Sequence, residues 1–348
     1  MSQVLNVVVG PSSGSQGTAE VVDFSSLSWT SNKDDGCDLT FSLDGRSQAG
    51  LVISELDTDC WLYSAGALAQ RFRIMSVEQT WGPDGTDDIS IAAVCYRRIL
   101  YRRLLVSDLT YSAVGQGDIA WGLVADTQAQ TGGDLGITAG TLTNTTTRDR
   151  GYLAGVNVGE MLTNLANVID GPRYTLGADR VLNVLAGDTW PTQAQPIVLG
   201  ATATALARKS GAALFANAVR GTADQELTTP VVVEDAGLAS DPRGRWDTAV
   251  SWPTVTEQAT LDENTNGELL GRVSPVASWS VAVDPQRWLT DLPIEAGDLA
   301  TLVVPRSTVA VIGVPAATVN VQTQERSVTV TPDGDLAVSV SVIELPPE

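Results

Sequence analysis

The chain of 348 residues carries 41 acidic against 21 basic side chains, a formal net charge of -20, and 43% of it is hydrophobic. The hydrophobic share excludes wholesale disorder, the length implies two to four domains, and the charge repels nucleic acid and anionic membranes. Histidine is absent, which removes every Ser-His or Cys-His nucleophile along with the commonest general base and metal ligand.

Nine tryptophans point weakly to sandwich cores or interfaces. Cys37, Cys60 and Cys95 are far apart and lack CxxC spacing, so they read as small buried apolar residues of a chain made in a reducing place. No apolar run reaches the length of a membrane span, and the first residues lack the basic and apolar regions of a signal peptide. Synthesis and assembly in a cytoplasm are expected.

From Val4 to Leu100 the pattern is one of short strands, "VLNVVV", "CDLTFSL", "GLVISEL", "RFRIMSV" and "ISIAAVCY", separated by Gly, Asp, Asn and Ser clusters. A small antiparallel sheet or barrel follows from it, with a turn at "WGPDGTDD", Trp81 to Asp88. Next comes "YRRILYRRLL", Tyr96 to Leu105, the one basic concentration, with Arg97, Arg98, Arg102 and Arg103. It fits a strand of alternating exposure, or an ion-paired contact with an acidic neighbour such as another subunit.

The character then changes. In Asp118 to Gln130, Ile119, Ala120, Leu123 and Val124 share a helical face, with Asp118 placed to cap the first turn. A second helix starts at Asn157, which has capping-box spacing to Glu160, runs through Met161, Leu162, Leu165, Val168 and Ile169, and stops at Gly171-Pro172. Between the two lies "TGGDLGIT", Thr131 to Thr138, which follows a helix and lacks the spacing of a phosphate or dinucleotide loop.

From Ile197 to Leu270 the pattern is mixed: a strand-like "ALFANAVRG" from Ala213, a loop at "SDPRGRWD", and a helix after Thr254 with Glu257 as its capping partner. Strands return after Arg272 as "SWSVAV", "LATLVV", "STVAVIGV", "TVNVQTQ", "RSVTV" and "LAVSVSVI", the last two joined by "TPDGD". Arg71 to Tyr96 and Val319 to Leu345 are each a long strand, a PDG turn and an alternating strand. Either the chain is internally duplicated or a common turn recurs by chance.

Asp34-Asp35, Asp84/Asp87/Asp88 and Asp333/Asp335 lack the ligand alternation of a calcium loop and read as turn residues. Paired carboxylates capable of glycosidase chemistry are not specific in so acidic a chain. No catalytic, cofactor-binding or metal-binding residue is assigned, and no cofactor is expected.

Taken together, Asp59 to Leu105, the stretch "GDIAWGLVADTQAQTGGDLGIT" and Thr146 to Tyr174 resemble minor tail proteins of long-tailed phages infecting actinobacteria, the baseplate hub or tail-tip hub family. "EAGDLATLVVP" and "VNVQTQERSVTVTPDGDLAVSVSV" are similar to that family's closing β-domain, while "IDGPRYTLGADR" is more clipped than its usual strand.

The resemblance implies a mainly β chain with an α+β middle and two barrel-like ends. Its divisions would be 1–107, an N-terminal β-barrel; 108–198, the α+β middle; 199–271, an inserted α+β region able to complete its neighbours; and 272–348, a C-terminal β-barrel. It implies a non-enzymatic homotrimeric ring at the virion tail tip. The ring would contact the distal tail or tail tube protein, the tape measure protein and tail fibres or receptor-binding proteins, and DNA would meet it only in passing. The glycine turn would be structural, and acidic side chains lining the channel would let DNA slide. The rival expectations are a carbohydrate-binding adsorption protein with tryptophan platforms and a tail-associated hydrolase using two carboxylates.

Overall fold

The computed structural model describes residues 5–345 apart from 15, 22–23, 35, 48, 169, 188, 211–214, 224–228, 254, 256, 274–276, 291–293, 305–316, 332 and 334. The expected strand "STVAVIGV", Asp35, Ile169, Thr254, the start of "ALFANAVRG" and Pro332 and Gly334 of the second PDG turn lie outside the described residues.

Seven strands open the chain: β1 (Leu5–Pro11), β2 (Ala19–Val21), β3 (Phe24–Asn32), β4 (Gly36–Asp44), β5 (Thr58–Ser64), β6 (Ala67–Trp81) and β7 (Asp87–Cys95). Their alternation places one face inward, as in β7, where Ile89, Ile91, Ala93 and Cys95 are buried. An α+β stretch follows, made of α1 (Tyr96–Ile99), β8 (Leu109–Gly115), α2 (Gln116–Gln128), β9 (Thr138–Leu142), β10 (Thr147–Tyr152), α3 (Val158–Ala166), β11 (Arg173–Leu176) and β12 (Val181–Leu185).

Strands β13 (Ile197–Val198) and β14 (Ala203–Ser210) come next, then β15 (Ala218–Thr222), β16 (Val231–Glu234), β17 (Asp247–Ser251) and α4 (Gln258–Arg272). The chain closes with β18 (Ala277–Val283), α5 (Pro285–Thr290), β19 (Leu299–Val304), β20 (Ala317–Val330) and β21 (Leu336–Glu344). The protein is thus mainly β, with large antiparallel pairings.

Both ends of the chain enter one 13-stranded sheet, in the order β14-β18-β21-β20-β3-β4-β7-β6-β5-β1-β2, with β19 also on β20 and β13 beside β19. The named strands pair as an open path, and an isolated parallel bridge between Leu199 and Ala203 joins the end of β13 to the start of β14. Hidden in this order is a repeat. The run β3-β4-β7-β6-β5-β1 and the run β14-β18-β21-β20-β19-β13 have the same spatial order and the same order along the chain.

Ladder details repeat too. The β6·β7 ladder slips between Ile74 and Ser76, and the β20·β21 ladder slips between Thr323 and Glu325. The units differ at the short end strand, since β1 runs antiparallel to β5 and β13 parallel to β19. A tight turn joins β3 to β4, whereas β15, β16, β17 and α4 intervene between β14 and β18. The matched PDG hairpins are therefore one corner of a larger correspondence.

Strand β20 splices the two units. Its first half, to Gln322, pairs with β19; beyond the slip, Glu325 to Val330 pair with Asn32 to Leu27 of β3. A single hydrophobic core runs under both units, from Val7 and Phe41 to Leu302 and Val342. Arg326 sits inside it, fully buried, with its guanidinium carbon 3.8 Å from the centroid of the Trp29 ring and 5.6 Å from that of Trp288. Its charge is met by an ion pair with Glu295.

A second core lies under the α+β stretch, built from Ile119, Leu123, Val124, Met161, Leu162, Leu165, Leu182 and Val184 together with Tyr96, Ile99 and Leu100. The inserted α4 is tied to it through Glu263, which accepts from Arg148 at 3.1 Å and Arg150 at 3.3 Å. The three cysteines are free thiols; Cys60 and Cys95 are buried and Cys37 is half-buried.

Several expectations change on contact with the fold. "GLVISEL" forms a 3-10 turn, Gly50–Val52, followed by turns, with Leu51 and Leu56 exposed; three apolar residues there have no sheet neighbour to cover them. Asp118 does not cap α2. The helix starts two residues earlier, at Gln116, and Asn144 does the capping from across the fold, accepting from the Asp118 N–H at 3.1 Å while donating to its carboxylate at 2.9 Å. "TVNVQTQ" and "RSVTV" are one strand, β20. Asn157 does cap α3, accepting from the Glu160 N–H at 2.7 Å.

Removing the buried cation while leaving its tryptophan slot unfilled is expected to cost about 3–5 kcal/mol. Denaturant unfolding of Arg326→Ala against the parent chain measures this. Arg326→Met, which fills the slot without charge, should recover much of the loss.

Candidate functional site

The arginine segment is helical, not a strand. Tyr96, Ile99 and Leu100 recur at helical spacing and drop into the second core through α1 and the 3-10 turn Leu100–Arg102. Gly159, at the start of α3, leaves room for the Tyr101 ring, with which a Cβ there would collide. Burial of that face turns the four arginines in different directions.

Arg97 reaches back to the β3–β4 turn, donating to the Asp34 carbonyl at 2.6 Å, and lies over the Tyr174 ring at 4.3 Å. Arg98 pairs with Asp38 at 2.9 Å, with both side chains well exposed. Arg103 donates to the Thr127 carbonyl at 2.7 Å and the Gly133 carbonyl at 3.2 Å. Arg102 is exposed and has no ion pair among the described residues. The four do not converge on one point.

Arg103 also accounts for the glycine turn. It clamps the last turn of α2 to Gly133, while Gly132 at φ +67° and Gly136 at φ +64° take left-handed conformations that let the chain reverse into β9. The Asp134 carboxylate accepts from the Gly136 N–H at 2.7 Å. The Gly133, Gly136, Ile137 and Thr138 N–H groups all donate within the chain, as a reversal of the backbone requires.

Beside Arg97 opens a cleft of about 640 Å³ between the β3–β4 turn and the α3–β11 connection, lined by Lys33, Asp34, Arg97, Asp170, Arg173, Tyr174 and Trp190. Arg173 lies over the Trp190 ring at 4.4 Å and Lys33 over the same ring at 5.5 Å, and the Gly297 backbone presses on it. Covered in this way, Trp190 is no bare platform for a sugar. Burial holds the Arg173 guanidinium below its ordinary pKa against an opposing pull from Asp298, with a smaller push in the same direction from the Arg97 charge.

A buried polar cluster escaped the sequence reading. Asp59, fully buried, accepts from Arg71 Nε at 2.7 Å, Arg73 Nε at 2.5 Å and the Tyr96 hydroxyl at 2.6 Å, and Arg71 lies 4.5 Å over Trp61. The visible signal was "RFR", two arginines at strand spacing on one face. Both guanidinium groups and both carboxylate oxygens have partners, so the cluster pins β5 to β6 and to Tyr96. Among the turn acids, Asp84 accepts from Thr86 and Asp87 from Gln79. The described residues hold no group of three or more His, Cys, Asp or Glu side chains that could bind a metal.

Substituting Arg103 by Met should lower stability by about 1.5–3 kcal/mol, the worth of hydrogen bonds from a charged donor. Arg102→Glu should leave the unfolding midpoint of the isolated chain within about 0.5 kcal/mol of the parent. Thermal unfolding of both variants at equal concentration makes the comparison.

No family model matches the chain, and no curated protein matches it in sequence. Solved structures do. A tail protein from Neisseria meningitidis MC58 superposes with a TM-score of 0.67 at 13% identity, over 98% of this chain and 96% of that one. The 43 kDa tail protein of prophage MuSo2 from Shewanella oneidensis gives 0.65 at 14% identity, over 97% and 98%. The E. coli c3393 protein, a type VI secretion component with structural similarity to T4 tail proteins gp27 and gp5, gives 0.54 at 9% identity, over 97% and 77%. The fold of this chain, end to end, is the fold of phage tail proteins.

Proposed function

We propose that the chain is a structural tail-tip or baseplate hub of a long-tailed phage, of the group infecting actinobacteria that its sequence resembles, and that three copies form a ring at the end of the tail tube. The observation that carries this reading is the repeated strand order. Two like units per chain present six like units per trimer, so a threefold ring meets a sixfold tube without mismatch. The tail-protein fold of the neighbours supports the same reading.

On it, the ring joins the distal tail or tube protein on one side to fibres or receptor-binding proteins on the other, with the tape measure protein and then DNA passing through. The role is non-enzymatic, in the virion tail tip, after assembly in the host cytoplasm. The divisions 1–107, 108–198, 199–271 and 272–348 serve as its parts, with β14 of the third completing the sheet of the fourth. Of the proposed contact residues Arg97, Arg98, Arg102 and Arg103, the outward Arg98 and Arg102 are the ones placed to meet another chain.

The net charge of -20 gains a purpose here. DNA carries one charge per roughly 1.7 Å of axis, and each wall cation that neutralises a phosphate adds affinity, so a basic lumen would hold the genome. Only acids within about 8–10 Å of the lumen act on it at physiological salt.

The purified complex should have three times the chain mass of 36.5 kDa by native mass spectrometry, and a strictly monomeric chain at all concentrations overturns the ring. Replacing lumen acids by Lys should slow DNA ejection; ejection indifferent to those changes leaves solubility as the explanation of the charge.

A further inference from the structure

The repeat makes the in-chain splice a template. In the C-terminal unit, β20 beyond its slip is covered by β3 of the N-terminal unit. The counterpart of that half strand is residues 76–81 of β6, which pair with β7 alone. The counterpart of β3 is β14, which pairs with β18 and ends the sheet. Each chain therefore holds one filled junction and the two open halves of a second.

We infer that residues 76–81 of β6 pair antiparallel with β14 of a second copy of this chain, with Val77 opposite Ser210, Glu78 opposite Lys209, Thr80 opposite Ala207 and Trp81 opposite Leu206. The register follows from the ladders. Ser76 matches Glu325, because each is the first residue past the slip. Ser76 pairs with Ala92 and Glu325 with Ser341; Ala92 pairs with Thr40 and Ser341 with Ser280; Thr40 pairs with Ser28 and Ser280 with Ala207. Ser28 therefore matches Ala207. Within the chain Thr329 lies opposite Ser28 and Ser327 opposite Thr30, which places Thr80 opposite Ala207 and Glu78 opposite Lys209.

Nothing in that derivation uses side-chain chemistry, yet the chemistry agrees. An acid falls opposite a base, a favourable cross-strand pair. On the other face Trp81, 69% exposed and set where Val330 closes the filled junction, meets Leu206. Glu78, Gln79 and Thr80 are exposed, as are Ala207, Arg208 and Lys209. A six-residue edge left open in this way pairs readily with another strand.

The pairing rests on the ring reading only for the number of copies that close it, and the experiment separates the two. In the full chain carrying Thr80→Cys and Ala207→Cys, copper-phenanthroline oxidation should give a covalent trimer on a non-reducing gel, and either single variant should not. Val77→Cys with Ser210→Cys repeats the test at another rung. Glu78→Lys and Lys209→Glu should each raise the dissociation concentration about tenfold or more by sedimentation, and the two together should restore it.

A trimer by mass that neither cysteine pair links overturns the junction and leaves the ring. A linked ladder closing at another number keeps the junction and overturns the trimer, whereas a chain that never associates overturns both.

Discussion

The pairing of β20 with β3 is the constraint on which the rest of the molecule depends. It joins strands almost three hundred positions apart in the chain, so the whole middle of the sequence has to be folded away as excursions from one sheet. Long-range pairing of this kind is entropically demanding and needs a strong local reward. Arg326 supplies part of it. Its guanidinium, planar and weakly hydrated, tolerates burial between Trp29 and Trp288 better than an ammonium would, and the Glu295 ion pair offsets the desolvation.

The chain makes two such excursions from the sheet. One leaves after β7 and returns at β13, carrying its own core; the other leaves after β14 and returns at β18, carrying β15, β16, β17 and α4. Arg148 and Arg150 from the first meet Glu263 from the second. The two excursions thus brace each other, so their orientation relative to the sheet is set by charge as well as by covalent attachment.

Much of this was legible in the sequence. Period-two alternation marked β1, β4, β6, β7, β18 and β21, and α3 announced itself by its cap and apolar period. What failed did so for physical reasons. Short apolar runs look alike whether or not a neighbour strand exists, hence "GLVISEL". A cap donated from across the fold, as by Asn144, leaves no local spacing. In "YRRILYRRLL" the paired arginines fit a strand of alternating exposure, whereas Tyr96, Ile99 and Leu100 carry the helical spacing that burial selects. The PDG hairpins exposed one corner of the duplication, but strand order is a property of pairing, which no single segment carries. The basic cleft was illegible for the same reason: Lys33, Arg97 and Arg173 are neighbours only in space.

Because β20 gives one half to each unit and one apolar core runs beneath both, neither unit has a surface of its own at which to come apart. Their unfolding is thermodynamically coupled, so the two ends should melt in one calorimetric transition while the middle core remains free to melt in another. A half strand shared between two units is also a way of making stability collective. Each unit borrows part of its edge from its neighbour, and the loss of any one exposes the next.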